Sequence, residues 1–303
     1  LNDNLEHRVI VDGQVTYTVQ DERFKEATNY IAGWVSDGLI DMVSFEQSQD
    51  NFLANGKGEE TYGAFYWWES ETVVSNPENY ICCAPLVGPN GDQTICVSNN
   101  PEIGTGELVF FNGVENVEVL LAYFDRYYDP YISAQINYGP IGIVYEEELD
   151  ENGMLVQKEL TGDMTADELR LQNAPLGICY LNDYAWENVV HMEPRAQLRL
   201  ERLNAYATPY VDEGVPPPPH LQFTMEELNV LTSYESNLND YIRTNLISWL
   251  TSGGVTDEQW TTFTEDLNGR TNLSAIQQAY QDAYDRYVSG ETANGGSASS
   301  NAQ

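Results

Sequence analysis

The sequence predicts an α/β fold with helices added towards its carboxyl end. In the first half, short β-branched runs such as Val9–Val11 are interleaved with stretches whose apolar residues recur at the helical period. The last third carries mostly helical patterns, two of which begin at the capping boxes Thr224–Glu227 and Thr256–Gln259. Strands interleaved with helices are typical of an α/β lobe, and the helices that follow indicate an addition to it.

Four consecutive segments follow from this pattern. The predicted segments are part of an α/β lobe at 1–110, a crossover helix, a hairpin and an irregular segment at 111–215, a helical segment at 216–290, and a disordered tail at 291–303. The last three helices carry faces of Leu, Trp and Tyr, so we expect them to pack together. The residues after Gly290 are mostly small and polar, which is typical of disordered ends.

The charge of the chain limits its partners. Its 303 residues carry a formal net charge of −35, and a surface of this charge repels phosphate groups. Nucleic acids and anionic membrane surfaces are therefore disfavoured as direct partners. Hydrophobic residues make up 42% of the chain and aromatic residues 12%, which excludes disorder throughout. The 20 tyrosines supply apolar area and hydroxyl groups together, as a polar ligand requires.

A hairpin and a helix are predicted near the amino end. Asp12–Gly13 lies between two β-rich runs, which is typical of a tight turn. From about Asp21 the period changes, and one helical face carries Phe24, Ala27, Ile31, Trp34 and Val35. Gly38 occupies the position where a glycine ends a helix.

An aromatic run, Phe65–Trp68, is the most informative stretch for function. It follows a predicted short helix at Phe45–Leu53 and a turn at Asn55–Gly58. A regular strand would direct its first and third rings to one face and its second and fourth rings to the other. We expect one face to pack in the core and the other, flanked by Glu69 and Glu71, to stack on a sugar. Packing of all four rings in the core is the alternative.

The next elements predict a second hairpin. The apolar run Tyr80–Val87 is separated from Thr94–Ser98 by the turn Gly88–Gly91, so that Cys83 would face Cys96. Two free buried thiols are preferred here to a cross-strand disulfide. The four cysteines contain no CxxC pair and no histidine at zinc spacing, so a zinc site is not expected.

Patterns in the middle of the chain indicate structure rather than chemistry. Asn116 caps a helix with Phe124 on its expected buried side, and Pro130 marks its end. Asp150–Gly153 predicts a hairpin turn, and the alternating ligand spacing of an EF-hand is absent from it, so calcium is not expected. Gly104–Gly106 lacks the remaining residues of a dinucleotide fingerprint or a P-loop, which excludes a phosphate cradle of either kind.

Several short motifs occur in an order that resembles a known family. They are Asp37–Asp41, Asn55–Gly58, the aromatic run, Pro85–Gly91, Tyr138–Gly142, and the closing segments Thr224–Leu228, Gly253–Trp260 and Gln277–Tyr287. From about Gly13 to Val288 the chain resembles the later part of the family 1 extracellular solute-binding proteins of carbohydrate ABC importers. The long lipoproteins of Gram-positive bacteria that bind complex oligosaccharides are the most similar branch.

The resemblance implies a fold and a function. It implies a periplasmic-binding-protein-like type II lobe, a mixed sheet flanked by helices, with added C-terminal helices. It also implies a monomer that captures an oligosaccharide and passes it to ABC permease subunits, without catalysis, cofactor or metal. Members of the family begin with a lipid-anchored cysteine and a first lobe. The chain therefore looks like a C-terminal fragment of an extracellular lipoprotein on the cell surface.

The resemblance also implies a ligand site. In the family, a sugar-stacking tryptophan follows the Gly-Lys-Gly turn, and Trp67 and Trp68 occupy the matching positions. Trp68 is our preferred ligand residue, because Tyr66 on the same face would add a hydroxyl group. Residues Gly104 to Leu108 match a crossover between the lobes, near the cleft. The predicted ligand-binding residues are Tyr66, Trp67, Trp68, Glu69, Thr105, Gly106 and Glu107.

Two other classes of function stay open at this stage. A glycan-active enzyme would also combine tryptophans with carboxylates, but 48 acidic residues supply suitable pairs by chance. No Gly-x-Ser-x-Gly elbow occurs, and three dispersed histidines do not favour a Ser-His-Asp triad. A surface carbohydrate-binding or interaction protein without a transport role would also fit the acidic surface and the many tyrosines.

Overall fold

Two units make up the chain. The computed structural model describes residues 3–58, 62–88, 90–96, 108–158, 166–212 and 219–291. The first unit combines Leu1–Pro101 with Asn204–Gln303, and the second unit is Glu102–Leu203. The carboxyl-terminal helices thus belong to the same unit as the amino-terminal hairpin. The predicted disordered tail lies outside the described residues from position 292 onward.

The predicted amino-terminal hairpin is present. Strand β1, Arg8–Val11, pairs antiparallel with β2, Gln14–Tyr17, so that Val11 lies opposite Gln14. Asp12 and Gly13 connect them with φ of 50° and 78°. A two-residue turn with both φ values positive matches the twist of the paired strands, which explains the Asp-Gly sequence.

Three helices follow the hairpin. Helix α1, Glu22–Ser36, begins where the Asp21 carboxylate accepts a hydrogen bond from the Arg23 main-chain N–H. Its buried side chains are Thr28, Ala32 and Val35. Of the predicted face, Val35 is buried, while Phe24, Ile31 and Trp34 are half-buried and Ala27 is exposed. Helix α2, Gln49–Gly56, replaces the helix predicted at 45–53, because Ser48 is its capping residue. Helix α3 is short, at Ser70–Val73.

Three long helices complete the first unit. They are α9, Met225–Ser252, α10, Asp257–Thr271, and α11, Leu273–Ser289. Both predicted capping boxes are formed, since Thr224 and Thr256 each exchange hydrogen bonds with the residue three positions later. Gly253 ends α9 at φ 93°, a left-handed conformation that favours glycine.

The core of the first unit joins these helices to the hairpin. Leu238, Phe263, Leu267 and Ile276 are all at most 1% exposed and form one cluster with the inward residues of β2. The predicted packing of the last three helices is therefore confirmed. The buried members of this cluster are Val15, Tyr17, Val19, Leu231, Leu238, Ile242, Trp249, Val255, Trp260, Phe263, Leu267, Leu273, Ile276, Ala279 and Tyr280.

A polar network fastens the hairpin to two of the helices. The Arg8 guanidinium lies 3.5 Å from the centroid of the Tyr280 ring and donates to the Glu235 carboxylate at 3.2 Å. Tyr280 donates its hydroxyl to the same carboxylate oxygen at 2.6 Å. Burial raises the pKa of the Tyr280 hydroxyl, so this group stays a donor at neutral pH.

The second unit is built from short helices around a small core. Along the chain the helices are α4, Val117–Asp125, α5, Pro130–Tyr138, α6, Ala166–Asn173, α7, Asp183–Asn188, and α8, Pro194–Tyr206, whose last residues belong to the first unit. The buried core consists of Ala134, Val144, Tyr145, Leu155 and Val190. Two details differ from the prediction. Pro130 begins α5 rather than ending the preceding helix, and α4 contains no buried residue, with Leu121 51% exposed.

The predicted turn at Asp150–Gly153 is present. Gly153 lies at φ 81° and donates its main-chain N–H to the Asp150 carbonyl. The Asp150 carboxylate lies 2.8 Å from Nε2 of His191 and accepts the main-chain N–H groups of Asn152 and Met154. The hydrogen bonds from His191 and these amides lower the pKa of Asp150 to about 2. Within the described ranges, no group of three or more His, Cys, Asp or Glu residues is placed to hold a metal ion.

The predicted strand at Phe65–Trp68 and the predicted second hairpin are wrong. Among the described residues, Phe65–Trp68 belongs to neither two-stranded sheet, and Tyr80–Val87 does not pair with 94–96. Instead, β3, Ile95–Cys96, pairs in parallel with β4, Val211–Asp212. The reason is physical, because an apolar run becomes a strand only where another strand satisfies its main-chain groups.

Cys83 is therefore not opposite Cys96. Its thiol is free and exposed rather than buried, and the Cys96 side chain is not among the described ones. Cys82 is also free and exposed. Among the helices that the structure describes, none has the length and apolar character needed to cross a membrane.

Candidate functional site

The candidate site is built on the aromatic segment, residues 62–80. Although unpaired, this segment keeps the alternation of an extended chain. Phe65 and Trp67 are half-buried, while Tyr66 is 98% exposed and Trp68 is 79% exposed. The two pairs of rings thus lie on opposite sides of the backbone, as the spacing predicts.

An aromatic cluster of Phe52, Tyr62, Phe65, Trp67 and Tyr80 forms the inner side of the segment. The Phe52 ring stacks on Tyr62 at 5.0 Å between centroids and lies 5.5 Å from Trp67. Phe65 lies 5.3 Å from Tyr80 and 6.2 Å from Tyr62. Tilted and offset contacts of this kind are the favourable arrangements for aromatic pairs. The cluster therefore anchors the segment through side chains where a sheet would use main-chain hydrogen bonds.

Two tyrosine hydroxyls hold the backbone around this cluster. Tyr62 donates its hydroxyl to the main-chain carbonyl of Phe52 at 2.9 Å, and Tyr80 donates to that of Tyr62 at 2.5 Å. Each hydroxyl donates to a main-chain carbonyl, so these tyrosines contribute hydrogen bonds as well as apolar area. These two hydrogen bonds thus hold the backbone in place at Phe52 and at Tyr62.

A close contact between α2 and α3 supports the aromatic segment. A side chain at Gly56 would bring its Cβ to 2.3 Å from the Val73 carbonyl oxygen, so this close approach requires glycine. Lys57 donates from Nζ to the main-chain carbonyls of Glu71 at 2.9 Å and Val74 at 3.2 Å. This lysine satisfies carbonyls around the end of α3, which is a favourable position for a positive charge.

The exposed pair, Tyr66 and Trp68, forms the outer side. Both rings leave the backbone on the side away from the aromatic cluster, and both present apolar faces to solvent. Two adjacent exposed aromatic side chains on an anchored backbone can stack on a flat apolar ligand face, and the Tyr66 hydroxyl can donate or accept a hydrogen bond.

Glu69 lies differently from the exposed pair. It is only 6% exposed, and its Oε1 accepts a hydrogen bond from the Thr72 hydroxyl at 2.7 Å. This contact closes the first turn of α3. Glu69 therefore shapes the backbone directly after Trp68. Thr105, Gly106 and Glu107, the other predicted ligand residues, lie outside the described residues.

Sequence reasoning missed three members of the aromatic cluster. Phe52 lies within a predicted helix, Tyr62 lies between the predicted turn and the aromatic run, and Tyr80 begins the predicted second hairpin, so none belongs to the aromatic run. Their only signal in the sequence was a high local density of aromatic residues.

A separate concavity of ≈ 290 Å³ lies in the first unit. It is lined mainly by apolar side chains of α1 and α9, and no residue of the aromatic segment contributes to it. The lining residues are Asp3, His7, Thr18, Asp21, Arg23, Phe24, Ala27, Thr28, Ile31, Leu246 and Leu250.

Comparison with known proteins connects this geometry to a group of binding proteins. The chain is 28% identical over 291 residues to the fructooligosaccharide ABC transporter substrate-binding protein FusA of Streptococcus pneumoniae serotype 4. This match covers 94% of the chain and 53% of FusA. The structure of S. pneumoniae FusA in complex with kestose matches 95% of the chain and 59% of its own length, with 27% identity and a TM-score of 0.82.

A more distant match shows the same fold. An HMO-binding, ABC-transporter-associated solute-binding protein from Bifidobacterium longum infantis has a TM-score of 0.69 at 18% identity, over 93% of the chain and 57% of that protein. No protein-family model matches the chain. The resemblance to carbohydrate solute-binding proteins and the periplasmic-binding-protein-like α/β fold are thus confirmed, and the chain spans about half the length of the curated relative.

Proposed function

We propose that this chain is part of the substrate-binding component of an ABC transporter that captures an oligosaccharide for import. The observation that carries the proposal is the exposed pair, Tyr66 and Trp68, on an anchored backbone in a chain similar to FusA over nearly its whole length. A solved structure of FusA is in complex with kestose, which is an uncharged sugar. An acidic chain of net charge −35 is compatible with such an uncharged ligand.

In this proposal the residues of the aromatic segment have different roles. Trp68 stacks its exposed ring on the apolar face of one sugar ring, and Tyr66 adds a hydrogen bond from its hydroxyl. Trp67 anchors the backbone through Phe52, and Glu69 fixes the turn after Trp68 through Thr72. Thr105, Gly106 and Glu107 remain proposed ligand residues because of the resemblance alone.

The proposal assigns binding without chemistry, followed by delivery to permease subunits. The relatives are transport substrate-binding proteins by name. Capture in such a protein would use closure of two lobes around the sugar, so that ligand affinity is coupled to a hinge equilibrium. We also propose the extracellular cell surface as the location, with a lipid anchor as the means of attachment, and a monomer as the working form.

Saturation-transfer difference NMR with kestose tests the proposal, because this method also detects weak binding. We expect a sugar signal with the wild-type chain, and at least an approximately fivefold loss of affinity for Trp68→Ala, as for a binding hot spot. Tyr287→Ala is the matched control, since Tyr287 is 56% exposed on α11 and far along the chain from the aromatic segment. The control variant should bind as the wild type does.

Two outcomes would contradict the proposal. If the wild-type chain gives no sugar signal, or if Trp68→Ala and Tyr287→Ala behave alike, the exposed pair is not a sugar-binding surface. If kestose is split into free sugars during the experiment, the chain is a glycan-active enzyme instead.

A further inference from the structure

The end of α1 carries a group of large apolar side chains that are exposed to solvent. Tyr30, Leu39, Met42 and Val43 are between 54% and 73% exposed. Trp34 is half-buried, and its ring centroid lies 5.1 Å from that of Tyr30, four positions earlier on the helix. Single exposed apolar residues are common, whereas a continuous group of them marks an interaction surface. These five residues are the α1-end patch.

Main-chain hydrogen bonds at the end of α1 make this patch continuous. The N–H of Gly38 donates to the Val35 carbonyl at 3.1 Å, and that of Leu39 donates to the Trp34 carbonyl at 2.9 Å. Gly38 lies at φ 74°. This pair of hydrogen bonds around a left-handed glycine is the Schellman motif, in which the residue after the glycine packs near the end of the helix. The motif therefore holds Leu39 beside Trp34.

The patch borders the concavity between α1 and α9. Ala27 and Ile31 line that concavity, and each lies three positions before a ring of the patch, Tyr30 or Trp34. Residues three positions apart are neighbours on a helix surface, so the concavity lies next to the two rings. Its volume of ≈ 290 Å³ accommodates a large apolar side chain, and an anchor of this kind in a pocket is typical of the centre of an interface.

Exposed carboxylates surround the patch. Each lies within four positions of a patch residue, and they are Glu26, Asp37, Asp41 and Glu46. Among the described residues, none of these four belongs to an ion pair. An apolar centre inside a polar rim is the usual arrangement of a protein interface, and here the rim is negative.

We propose that the α1-end patch binds a partner polypeptide whose contact surface is apolar at its centre and carries Lys or Arg at its edge. One large apolar side chain of that partner occupies the adjoining concavity. Charge complementarity favours this occupant, because the carboxylates of the rim attract a positive edge. The inference makes no use of Tyr66 and Trp68, so it is independent of sugar binding.

Three other occupants fit the patch less well. A second copy of this chain and an anionic membrane are both repelled by the net charge of −35. A sugar would stack on the two rings. It would leave the aliphatic part of the patch, Leu39, Met42 and Val43, without a partner.

Binding of a model peptide tests the inference. A helical peptide of about 18 residues, with leucine on one face and lysine on the other, is the simplest surface of the proposed kind. Its affinity for the 303-residue chain is measured by fluorescence anisotropy at about 150 mM salt, and NMR locates the amides that it shifts. We expect the largest shifts between positions 26 and 46. A peptide of the same composition, with its leucines scattered over all faces, should bind at least about fivefold more weakly.

Matched variants test the apolar centre. The double variant Leu39→Ser, Met42→Ser should weaken binding of the peptide by about tenfold or more. Its control is Met225→Ser, Val288→Ser, at two residues of α9 and α11 that are 71% and 66% exposed, and it should bind as the wild type does. Ala27→Phe fills the concavity and adds apolar area at the same time. It should weaken binding by about threefold if a partner side chain occupies the concavity, whereas unspecific apolar adsorption would become stronger.

A second pair of variants tests the rim. The double variant Glu26→Gln, Asp37→Asn should weaken binding by about threefold at low salt, and this difference should vanish near about 1 M salt, where charges are screened. Glu226→Gln, Glu265→Gln removes the same charge from exposed positions on α9 and α10 and should change the affinity little.

Four results would overturn the inference. The first is absence of binding, or shifts that lie mainly outside positions 26–46. The second is an equal loss of affinity in the patch variant and in its control. The third is a shift of the Tyr30 and Trp34 signals by kestose, because the patch would then be a second sugar site. The fourth is self-association of the chain that Leu39→Ser, Met42→Ser abolishes, since the occupant would then be a second copy.

Discussion

The helical core of the first unit and the aromatic segment both hold clusters of aromatic rings, with opposite exposure. In the core, Phe263 is 1% exposed, with Trp249 at 4.9 Å and Tyr241 at 5.5 Å between ring centroids. In the aromatic segment, Trp67 packs on Phe52 while its neighbour Trp68 stays 79% exposed. Helices surround a ring from several sides, whereas a single extended segment can cover only one side of itself.

The two regions differ in what a substitution should change. The helical core buries rings such as Phe263 and Trp249, so substitutions there should affect folding. The aromatic segment divides its rings between an inner cluster and an exposed pair, so neighbouring positions should affect different properties. Each prediction below tests one part of that contrast.

The largest effect is expected in the helical core. Phe263→Ala removes a fully buried ring and should lower the free energy of unfolding by about 3–5 kcal/mol. Urea unfolding followed by circular dichroism measures this loss. Phe263→Leu is the control, and it should cost clearly less because it keeps most of the buried volume. Equal losses for both variants would mean that the ring contacts with Trp249 and Tyr241 contribute more than the volume does.

The second prediction compares the two adjacent tryptophans. Trp67→Ala should lower the free energy of unfolding by about 2–3 kcal/mol, less than a core ring, because Trp67 is only half-buried. Trp68→Ala should change it by no more than about 0.5 kcal/mol, as is usual for exposed positions. Thermal unfolding of both variants gives the comparison. If both lose stability equally, the exposed pair has a structural role and the separation proposed here is wrong.

The third prediction tests the close contact between α2 and α3 at Gly56. Gly56→Ala places a Cβ against the Val73 carbonyl and should cost about 1–3 kcal/mol, because α2 and α3 must move apart. Gly269→Ala is the matched control, since Gly269 lies in α10 with open space around it and no positive φ. That control should stabilise the chain by about 0.4–1 kcal/mol. Calorimetric unfolding of the two variants measures both changes. If both substitutions shifted stability in the same direction, the close approach of Gly56 to the Val73 carbonyl would be contradicted.

The smallest effect concerns an ion pair that joins α9 to α11. Arg286 donates to both carboxylate oxygens of Glu227, at 2.7 and 2.5 Å. Burial by itself would raise the pKa of Glu227, but the hydrogen bonds from Arg286 and from the Thr224 N–H lower it below 4.5. A carboxyl whose pKa is lower in the folded than in the unfolded state stabilises the fold at any pH above its pKa in the unfolded state. That stabilisation is lost as the pH falls through the pKa of the carboxyl in the folded state.

Glu227→Gln should therefore destabilise the chain by about 1 kcal/mol at neutral pH, and the difference from wild type should shrink below pH 4.5. Urea unfolding at a series of pH values follows this change. Glu226→Gln, at an exposed neighbouring position, is the control and should show no such pH dependence. A difference that stays constant from pH 7 to pH 3 would show that the charge of Glu227 is not what stabilises the pair.

Much of the local structure was predictable from short-range chemistry. The Asp12–Gly13 turn follows from the positive φ that a two-residue hairpin requires. The start of α1 at Asp21, and the capping boxes at Thr224 and Thr256, follow from hydrogen bonds between residues at most three positions apart. Such contacts do not depend on the remainder of the fold, so the residues alone indicate them.

Pairing between distant segments was not predictable in the same way. The parallel partner of Ile95–Cys96 is Val211–Asp212, more than a hundred residues later in the chain. Phe65–Trp68 has a strand pattern, but its alternation is maintained by ring packing on Phe52 and Tyr80 instead of by a neighbouring strand. Which segment lies beside another depends on the sum of many weak contacts, and no single residue pattern carries that information.

The sequence by itself determined the Asp12–Gly13 turn, the starts of α1, α9 and α10, and the alternation of the aromatic run, because each depends on neighbouring residues. The tertiary structure decided which of the two pairs of rings is covered. Phe52, Tyr62 and Tyr80 approach from one side of the aromatic segment and leave Trp68 in solvent. It also buried Glu69 and joined it to Thr72. Exposure depends on what packs nearby in space, and for an extended segment this is set by distant parts of the chain.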